Sequence, residues 1–284
     1  MTVTMTRIAI LGASGLIGHA VAVELLRQGF DVVPVARWFA ASQLSALNGR
    51  AFKWALVDAG TEDLARWLTE HRIDVVVNCI GVLQDSARGT AEHVHTGFVD
   101  RLIRASQQQP HPVLLIQVST PGVEEADTTA FSRSKREAER RIRRSGCPFV
   151  ILRPGFVVAQ GAYGGSALVR AIASLPINLP AYESAQPFAT VSMADISRTA
   201  TIVVRRWQKG ERDWSATWDV MDLAPTTLGR SHSGIPGSLW RTKAPPMPAL
   251  MADVARCQGW RSFGPARLAT FPYAAHLLRR FDGA

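Results

Sequence analysis

The sequence predicts an α/β fold, a doubly wound parallel sheet of the Rossmann type followed by a small C-terminal lobe. Short β-branched or aliphatic runs alternate with longer stretches of helical period, the pattern of a parallel sheet covered by helices on both faces. The first run leads directly into a glycine-rich turn at Gly12–Gly18 and then into a helix. With 284 residues and 47% hydrophobic residues, the chain can bury the core of such a domain.

The elements follow one another along the first half of the chain. Six strands are predicted at residues 7–11, 31–36, 51–57, 74–78, 113–118 and 149–152. Helices are predicted between them at 16–28, 61–71, 92–106 and 132–145. The regular alternation stops after Arg153-Pro154-Gly155, and a helix at 192–207 and a short strand at 218–221 are expected to return to the core.

The expected domain boundaries follow changes in composition. A Rossmann core is predicted over residues 5–224, with an irregular segment rich in glycine and proline inserted at about 160–187. Residues 225–284, rich in Pro, Trp and Arg, are predicted to form a small lobe for substrate or for interactions. Irregular segments beyond strand ends are where α/β enzymes make substrate contacts.

The net charge of +9 favours anionic partners such as phosphate-rich cofactors, nucleic acids or acidic lipid surfaces. No domain-sized basic stretch carries interleaved aromatic residues, so we expect a nucleotide rather than a nucleic acid. The three cysteines, Cys79, Cys147 and Cys257, match no zinc or disulfide spacing and predict reduced thiols. The start of the chain is too short and polar for a signal peptide, and no run reaches the roughly 18 apolar residues of a membrane helix. A cytoplasmic protein without a membrane span is therefore expected.

The strongest motif is the turn Gly12-Ala13-Ser14-Gly15-Leu16-Ile17-Gly18, which follows a strand and opens a helix. In a Rossmann turn, Gly12 permits the tight turn, Gly15 lets the backbone approach a pyrophosphate, and Gly18 permits close packing of helix on strand. The alternative is a tight turn without a ligand. The cofactor-binding residues expected here are Gly12, Ser14, Gly15, Leu16, Ile17 and Gly18.

The second strand indicates which dinucleotide is bound. NAD enzymes usually carry Asp or Glu there for the ribose 2′-hydroxyl, whereas this chain has Ala36-Arg37. Arg37 would pair with a 2′-phosphate, which predicts a preference for NADP(H) over NAD(H). The alternative is a surface arginine at a strand end. Asp58 is expected near the adenine, and the backbone at Cys79, Ile80 and Gly81 near the dinucleotide.

Together these features resemble the atypical or extended short-chain dehydrogenase/reductases. Within that superfamily the similarity is greatest to the group of the nucleotide-binding accessory subunit of respiratory complex I and its bacterial epimerase/dehydratase-like relatives. The resemblance extends from Ile8 to Val203. Its motifs are Gly12–Gly18, Asp58, Asn78-Cys79-Ile80-Gly81, Ser119, Ser134-Lys135-x-x-Ala138-Glu139 and Leu152-Arg153-Pro154-Gly155.

The resemblance implies a catalytic Tyr-x-x-x-Lys motif, in which the tyrosine moves a proton and the lysine binds the nicotinamide ribose. Here the motif reads Phe131-Ser132-Arg133-Ser134-Lys135, so phenylalanine stands at the tyrosine position. Phenylalanine has no ionisable proton and cannot act as the general acid or base. The resemblance leaves Lys135 and Ser119 as catalytic candidates and adds Pro154 to the cofactor-binding residues. Tyr163 could enter the pocket from the loop that follows.

Two weaker signals receive simple structural interpretations. His93-x-His95 has no third ligand nearby, so we predict hydrogen-bonded or solvated helix residues and no metal site. The arginine-rich segment 133–144 is expected to form a mostly solvated helix face, with Phe131, Ala138 and Ile142 turned inward. The alternative is a surface that docks an acidic partner or a membrane.

The sequence thus predicts an NADP(H)-binding, short-chain dehydrogenase/reductase-like oxidoreductase that acts on an unknown small molecule. Whether it is catalytically active is left open, because Phe131 replaces the expected tyrosine. The alternative is a non-catalytic dinucleotide-binding protein with a structural, assembly or redox-sensing role. The expected partners are the dinucleotide and a small-molecule substrate, without nucleic acid, and the oligomeric state is left open.

Overall fold

The computed structural model describes residues 6–82, 91–127, 129–158, 187–222 and 226–227. Its strands are β1 Arg7–Leu11, β2 Asp31–Ala36, β3 Phe52–Lys53, β4 Val75–Asn78, β5 Leu114–Val118, β6 Phe149–Pro154, β7 Phe156–Val158, β8 Pro187–Phe188, β9 Thr190–Ser192, β10 Ser215–Val220 and β11 Thr226–Thr227. Its α-helices are α1 Leu16–Arg27, α2 Ala41–Ala46, α3 Thr61–Glu70, α4 Phe98–Gln107, α5 Ala130–Arg144 and α6 Met193–Gln208. A π-helical turn, His93–Gly97, leads into α4.

Seven strands form the main sheet, in the order β10-β6-β5-β4-β1-β2-β3. All of them run parallel, and β1 lies between β2 and β4. The chain moves outward from β1 in one direction through β2 and β3 and then in the other through β4, β5 and β6. The direction therefore reverses between β1 and β4, and the carboxyl ends of these strands form the crevice where doubly wound sheets bind ligands.

Helices cover both faces of the sheet. Helix α1 packs against α6, while α3 and α5 both pack against α4. The strands β4 and β5 are buried along their whole length, which explains their nearly continuous apolar sequences. The predicted doubly wound Rossmann fold is confirmed.

The third strand is shorter than the sequence predicts. Only Phe52 and Lys53 pair with β2, and after Trp54 donates its N–H to the carbonyl of Ala36 the chain turns into a 3-10 helix at Leu56–Asp58. The prediction of a strand over 51–57 was wrong, because β3 is an edge strand with one neighbour and the apolar residues after it pack from a turn instead.

The described residues fall into two units. The first comprises the described parts of Met1–Thr120, Ala130–Arg153 and Met193–Trp218. The second comprises those of Pro121–Thr129, Pro154–Ser192 and Asp219–Ala284, and contains the parallel pair β7 and β9 and the antiparallel pair β8 and β11. The predicted irregular segment at 160–187 and the lobe at 225–284 lie almost wholly outside the described residues, and the division at 224 stays a prediction.

The described part of the chain contains neither a membrane-spanning helix nor a cluster of metal-binding side chains. No helix there is both long enough and apolar enough to cross a membrane. No group of three or more histidine, cysteine, aspartate or glutamate side chains there could hold a metal ion.

Candidate functional site

The glycine turn leaves β1 at the centre of the sheet and opens α1. Gly12 has φ of +80°, in the left-handed region that side chains with a Cβ atom rarely adopt. The N–H groups of Gly12 and Ala13 both donate to the carbonyl of Val35, at 2.9 and 3.0 Å, and so tie the turn to β2. Gly15 caps α1 with extended backbone and has no side chain that could accept the N–H groups of the first helical turn.

Two glycines set how closely α1 approaches the turn. A Cβ atom on Gly18 would lie 2.3 Å from the carbonyl oxygen of Gly12 and 2.9 Å from its carbonyl carbon. A Cβ atom on Gly12 would lie 3.2 Å from the backbone of both Cys79 and Ile80. The backbones of helix α1, the glycine turn and the end of β4 are therefore in close contact with one another.

The segment after β2 is attached to the same turn. The side-chain amide of Gln43, in α2, donates to the carbonyl of Ser14 at 2.8 Å and accepts the N–H of Ala40 at 3.1 Å. Residues 37–40 are thereby held beside the glycine turn. Arg37 is exposed there, as is Trp38, whose accessible fraction is 63%.

Asp58 ends the 3-10 turn beyond β3, and its side chain is 73% exposed. Its carboxylate lies 3.4 Å from Nε2 of His93. The turn itself is anchored by Arg101 of α4, whose guanidinium donates to the carbonyls of Ala59, at 3.0 Å, and Val57. The carboxylate of Asp58 therefore remains accessible while its backbone is fixed.

The carboxyl end of β4 is fixed by polar contacts to its neighbours. The amide of Asn78 donates to the side-chain oxygen of Gln117 on β5 at 2.9 Å and accepts the N–H of Ile80 at 3.1 Å. The N–H of Cys79 donates to the carbonyl of Leu11 on β1 at 2.9 Å. Burial raises the pKa of the Cys79 thiol to about 12, so this cysteine is a neutral packing residue at physiological pH.

Lys135 of α5 is buried beneath this strand end. Its ammonium group donates to the carbonyls of Ile80, at 2.8 Å, and Val118, at 3.0 Å, and so bridges the ends of β4 and β5. An ammonium has three protons, so one donor remains after these two bonds. Burial lowers the pKa of Lys135 to about 8, although Cys79 and Glu139 act in the opposite direction. The group is therefore predominantly cationic at pH 7.

His95, in the π-helical turn, joins this site although no sequence motif identifies it as a functional residue. Its ring accepts the N–H of Val82 at Nε2, at 3.0 Å, and its Nδ1 lies 2.8 Å from the hydroxyl of Ser134. The Ser134 hydroxyl lies 3.0 Å from the carbonyl of Phe131, to which it donates. His95 is buried, and burial, together with the positive charge of Lys135, lowers its pKa to about 3. The prediction of a hydrogen-bonded helix residue holds for His95.

Phe131 lies in the first turn of α5, where the resemblance places a tyrosine. Its ring packs edge to face on the imidazole of His95, with 5.3 Å between the ring centroids. Ser119, at the end of β5, is buried, and its N–H donates to the carbonyl of Leu152 at 2.8 Å. The structure thus brings Phe131 into contact with His95 and places Ser119 directly after Val118, whose carbonyl binds Lys135.

The interior face of α5 is more polar than the sequence predicts. Arg136 and Glu139 are buried together with Ala138 and Ile142, whereas the other arginines of α5 are at least partly exposed, in agreement with a mostly solvated face. The Glu139 carboxylate pairs with Arg136, with Arg143 at 2.8 Å and with Arg153 on β6. Burial would raise the pKa of Glu139, but its hydrogen bond from Arg153 and the nearby positive charges hold it below the usual value.

Two further candidates fall elsewhere. Pro154 is the buried last residue of β6 and belongs to the second unit. Tyr163, which the sequence predicts could enter the pocket, lies outside the described residues.

The residues present fit a dinucleotide phosphate. The first turn of α1, Leu16-Ile17-Gly18, carries no acidic residue, and its N–H groups have no acceptor within the helix. A helix N-terminus of this kind attracts anions through its N–H groups and its partial positive charge. Exposed Arg37 lies at the end of β2, and buried Lys135 lies beside the end of β4. The two residues are therefore on opposite sides of β1.

The sequence matches a protein-family model described as NAD(P)H-binding over residues 12–174. This region includes the glycine turn, the ends of β2 and β4, and the motif that contains Phe131 and Lys135. More than half of the chain is therefore covered by this one family.

One relative is the dTDP-6-deoxy-L-talose 4-dehydrogenase (NAD(P)(+)) of Kitasatospora kifunensis. The two sequences are 28% identical over 200 residues, which cover 63% of this chain and 61% of that enzyme. The chain thus matches less than two thirds of the length of this relative.

Several solved structures share the fold. The UDP-glucose 4-epimerase of Thermotoga maritima, solved with UDP-glucose, superimposes with a TM-score of 0.68 at 17% identity over 86% of each chain. The UDP-glucose 4-epimerase of Thermus thermophilus, in complex with NAD, gives 0.64 at 18% identity over 90% of this chain and 97% of that one. The dTDP-glucose 4,6-dehydratase of Bacillus anthracis, in complex with NAD, gives 0.66 at 14% identity over 85% of this chain and 84% of that one.

Proposed function

Because this chain belongs to the NAD(P)H-binding family, we propose that it is an NADP(H)-dependent oxidoreductase of the short-chain dehydrogenase/reductase type. The observation that carries the proposal is the glycine turn, in which Gly12 adopts the left-handed region and Gly18 leaves no room for a Cβ atom. This close backbone packing brings the N-terminus of α1 to the point where the strand order reverses. A pyrophosphate bound there would accept the N–H groups of the first turn.

The adenosine half of the cofactor is assigned to the end of β2. Arg37 is exposed immediately after this strand, and Gln43 holds the following segment against Ser14. A guanidinium at this position favours a 2′-phosphate through paired hydrogen bonds, whereas a carboxylate would favour a 2′-hydroxyl. Asp58, with its exposed carboxylate, is assigned to the adenine end.

The nicotinamide half is assigned to the ends of β4 and β5. Lys135 has one donor left after its bonds to Ile80 and Val118, and we assign that donor to a ribose hydroxyl. Cys79, Ile80 and Gly81 supply backbone beside it, and the assignment of Pro154 to the cofactor-binding residues stays a prediction. The bound nicotinamide would supply or accept a hydride at a substrate carbon.

The substrate is proposed to be a small carbonyl or alcohol compound of the nucleotide-activated sugar class. The support is the relative from Kitasatospora kifunensis, whose name specifies a dTDP-deoxysugar. Ser119 would donate a hydrogen bond to the substrate oxygen. Since Phe131 cannot transfer a proton, the proton would come from water or from a residue outside the described part of the chain.

A cytoplasmic location is proposed as well.

Titration of NADPH and NADH against the tryptophan fluorescence of the whole protein tests the proposal. We expect both to bind, NADPH more tightly, and the NADPH-loaded protein to reduce a nucleotide-linked keto-sugar. Failure of both dinucleotides to bind would refute the proposed function.

A second candidate function is supported by the contact between Phe131 and His95. The phenyl ring occupies the position where a proton donor is expected, and the neighbouring His95 already uses Nε2 to accept the N–H of Val82. A protein built in this way could bind the dinucleotide without turnover, as a structural, assembly or redox-sensing protein.

The variant Phe131→Tyr separates the two candidates. If the parent reduces no compound on a broad carbonyl panel and the variant does, the non-catalytic function is supported. If the parent already turns over, the oxidoreductase is supported and the non-catalytic function is rejected. Equal NADPH affinity of the two proteins serves as the control for an intact site.

A further inference from the structure

We propose that His95 is a positioning residue for the nicotinamide half of the cofactor, because its hydrogen bond to Val82 holds the backbone that follows β4 in place. The inference rests on the proposed function and deepens it by assigning a role to a histidine outside the family's motifs. Its basis is the geometry around residues 80–82.

Two side chains bind the peptide groups on either side of Gly81 in this short segment. Lys135 donates to the carbonyl of Ile80, and His95 accepts the N–H of Val82. Gly81 lies between them, and a Cβ atom on it would be 3.4 Å from Nζ of Lys135 and 3.5 Å from Nε2 of His95. The backbone at Gly81 therefore rests on both side chains at van der Waals distance.

The hydrogen bonds fix the tautomer of His95. Since the N–H of Val82 donates to Nε2, that nitrogen must carry its lone pair. The proton of the neutral ring is then on Nδ1 and is donated to the hydroxyl of Ser134, which donates in turn to the carbonyl of Phe131. Protonation of Nε2 would replace the acceptor with a donor and break the bond to Val82. The low pKa of His95, about 3, keeps the ring neutral at physiological pH.

The strand order indicates which half of the cofactor this segment serves. β2, with Arg37 after it, lies on one side of β1, whereas β4 and β5 lie on the other. A dinucleotide whose pyrophosphate lies at the glycine turn extends in both directions across the strand ends. The adenosine half then covers β2, and the nicotinamide half covers the segment that His95 supports.

The local helix geometry is consistent with a functional role. His95 lies in a π-helical turn, a rare irregularity that often occurs at functional sites. His95 is buried in this turn, whereas the side chain of His93, two residues earlier, is 44% exposed. His95 is therefore a buried imidazole with both ring nitrogens hydrogen-bonded, whereas His93 is accessible to solvent.

The test compares two probes that share the adenosine half. NADPH contains both halves, whereas adenosine 2′,5′-bisphosphate lacks the nicotinamide nucleotide. In His95→Leu we expect NADPH affinity to fall about tenfold, the effect of losing one well-placed hydrogen bond, with adenosine 2′,5′-bisphosphate affinity unchanged. His95→Gln retains an acceptor and a donor and should recover part of the loss. His111→Leu, at the amino end of β5, is the matched control and should leave both affinities unchanged.

Equal losses for both probes, or no recovery in a folded His95→Gln protein, would overturn the inference, because a merely structural histidine predicts those results. Unchanged NADPH affinity in His95→Leu would overturn it while leaving the proposed function intact. Failure of the parent to bind NADPH would reject both. Should His95→Leu fail to fold, long-range ¹H–¹⁵N spectra of the parent decide. A proton on Nδ1 and a NADPH-specific shift of Nε2 support the inference, whereas a proton on Nε2, or the absence of a NADPH-specific shift, overturns it.

Discussion

Gly18 lies so close to Gly12 that a Cβ atom on it would be 2.3 Å from the Gly12 carbonyl oxygen. The obstacle is backbone and not the end of a flexible side chain, so it cannot move aside without shifting the turn. The start of α1 and the end of β1 are therefore held at a distance that only glycine allows.

We expect Gly18→Ala to lower the free energy of unfolding by about 2 kcal/mol, the typical cost of overpacking, and to weaken NADPH binding. Urea unfolding and fluorescence titration measure the two effects. Gly60→Ala is the control, because a Cβ atom there would lie 3.5 Å from the carboxylate of Asp63, an ordinary contact, and φ is −70°. A Gly18→Ala protein as stable as Gly60→Ala would show that the turn can relax.

Charge reversal at Arg37 should change the choice of cofactor. In Arg37→Glu a carboxylate repels the 2′-phosphate and can accept a hydrogen bond from a 2′-hydroxyl, so we expect the NADPH-to-NADH affinity ratio to fall at least about tenfold. Arg66→Glu, an exposed site on α3, makes the same charge change away from the glycine turn and should leave the ratio unaltered. An unchanged ratio in Arg37→Glu would mean that Arg37 does not contact the 2′-phosphate.

The fully buried carboxylate of Glu139 should matter more for stability than any exposed ion pair on the same helix. Glu139→Gln removes the charge that Arg136, Arg143 and Arg153 share, and we expect a loss of about 3–5 kcal/mol in unfolding free energy. Glu137→Gln is the control on α5. Glu137 pairs with Arg140 and Arg141, but its side chain is 34% exposed, so the expected loss is below about 1 kcal/mol. Similar losses of unfolding free energy in both variants would contradict the larger contribution expected from the buried carboxylate of Glu139.

The low pKa of His95 predicts that acid destabilises the protein. Between pH 6.5 and about 3 the unfolded chain binds a proton at His95 that the folded chain does not, so stability rises with pH across this window and is lost as pH falls. One such proton contributes at most about 1.4 kcal/mol for each pH unit.

Unfolding free energies of the parent and His95→Gln, measured from pH 7 down to about pH 4.5, isolate this contribution. The parent should lose more stability than the variant as pH falls below 6.5, because glutamine does not titrate. Parallel curves would show that folding does not lower the pKa of His95.

Local sequence patterns predicted much of the sheet. The observed bounds of β1 and β2 are those predicted, and the helices begin and end within a few residues of their predicted positions, because apolar periodicity reports burial within each element. The match to the NAD(P)H-binding family confirms the resemblance at the level of a dinucleotide-binding family, while the narrower placement near the complex I subunit stays a prediction. The site residues likewise remain proposals, although the structure places most of them at the carboxyl ends of β1, β2, β4 and β5.

The role of His95 could not be read from the sequence. Its partner Ser134 is 39 residues away, and neither residue type at that spacing indicates a contact. The His93-x-His95 spacing predicts hydrogen-bonded or solvated helix residues without saying which histidine is which, and only the packing of α5 against the π-helical turn decides that His95 is the buried one.

The sequence by itself determined the doubly wound sheet and the glycine turn, because strand periodicity and the need for glycine arise from residues that are near neighbours in the chain. It also determined that position 131 has no proton to give. Only the tertiary structure decided that Lys135, His95 and Glu139 are buried and which groups they bind. Their surroundings come from strands and helices distant in sequence, and the burial of a charged or polar group depends on whether those distant elements supply its hydrogen bonds.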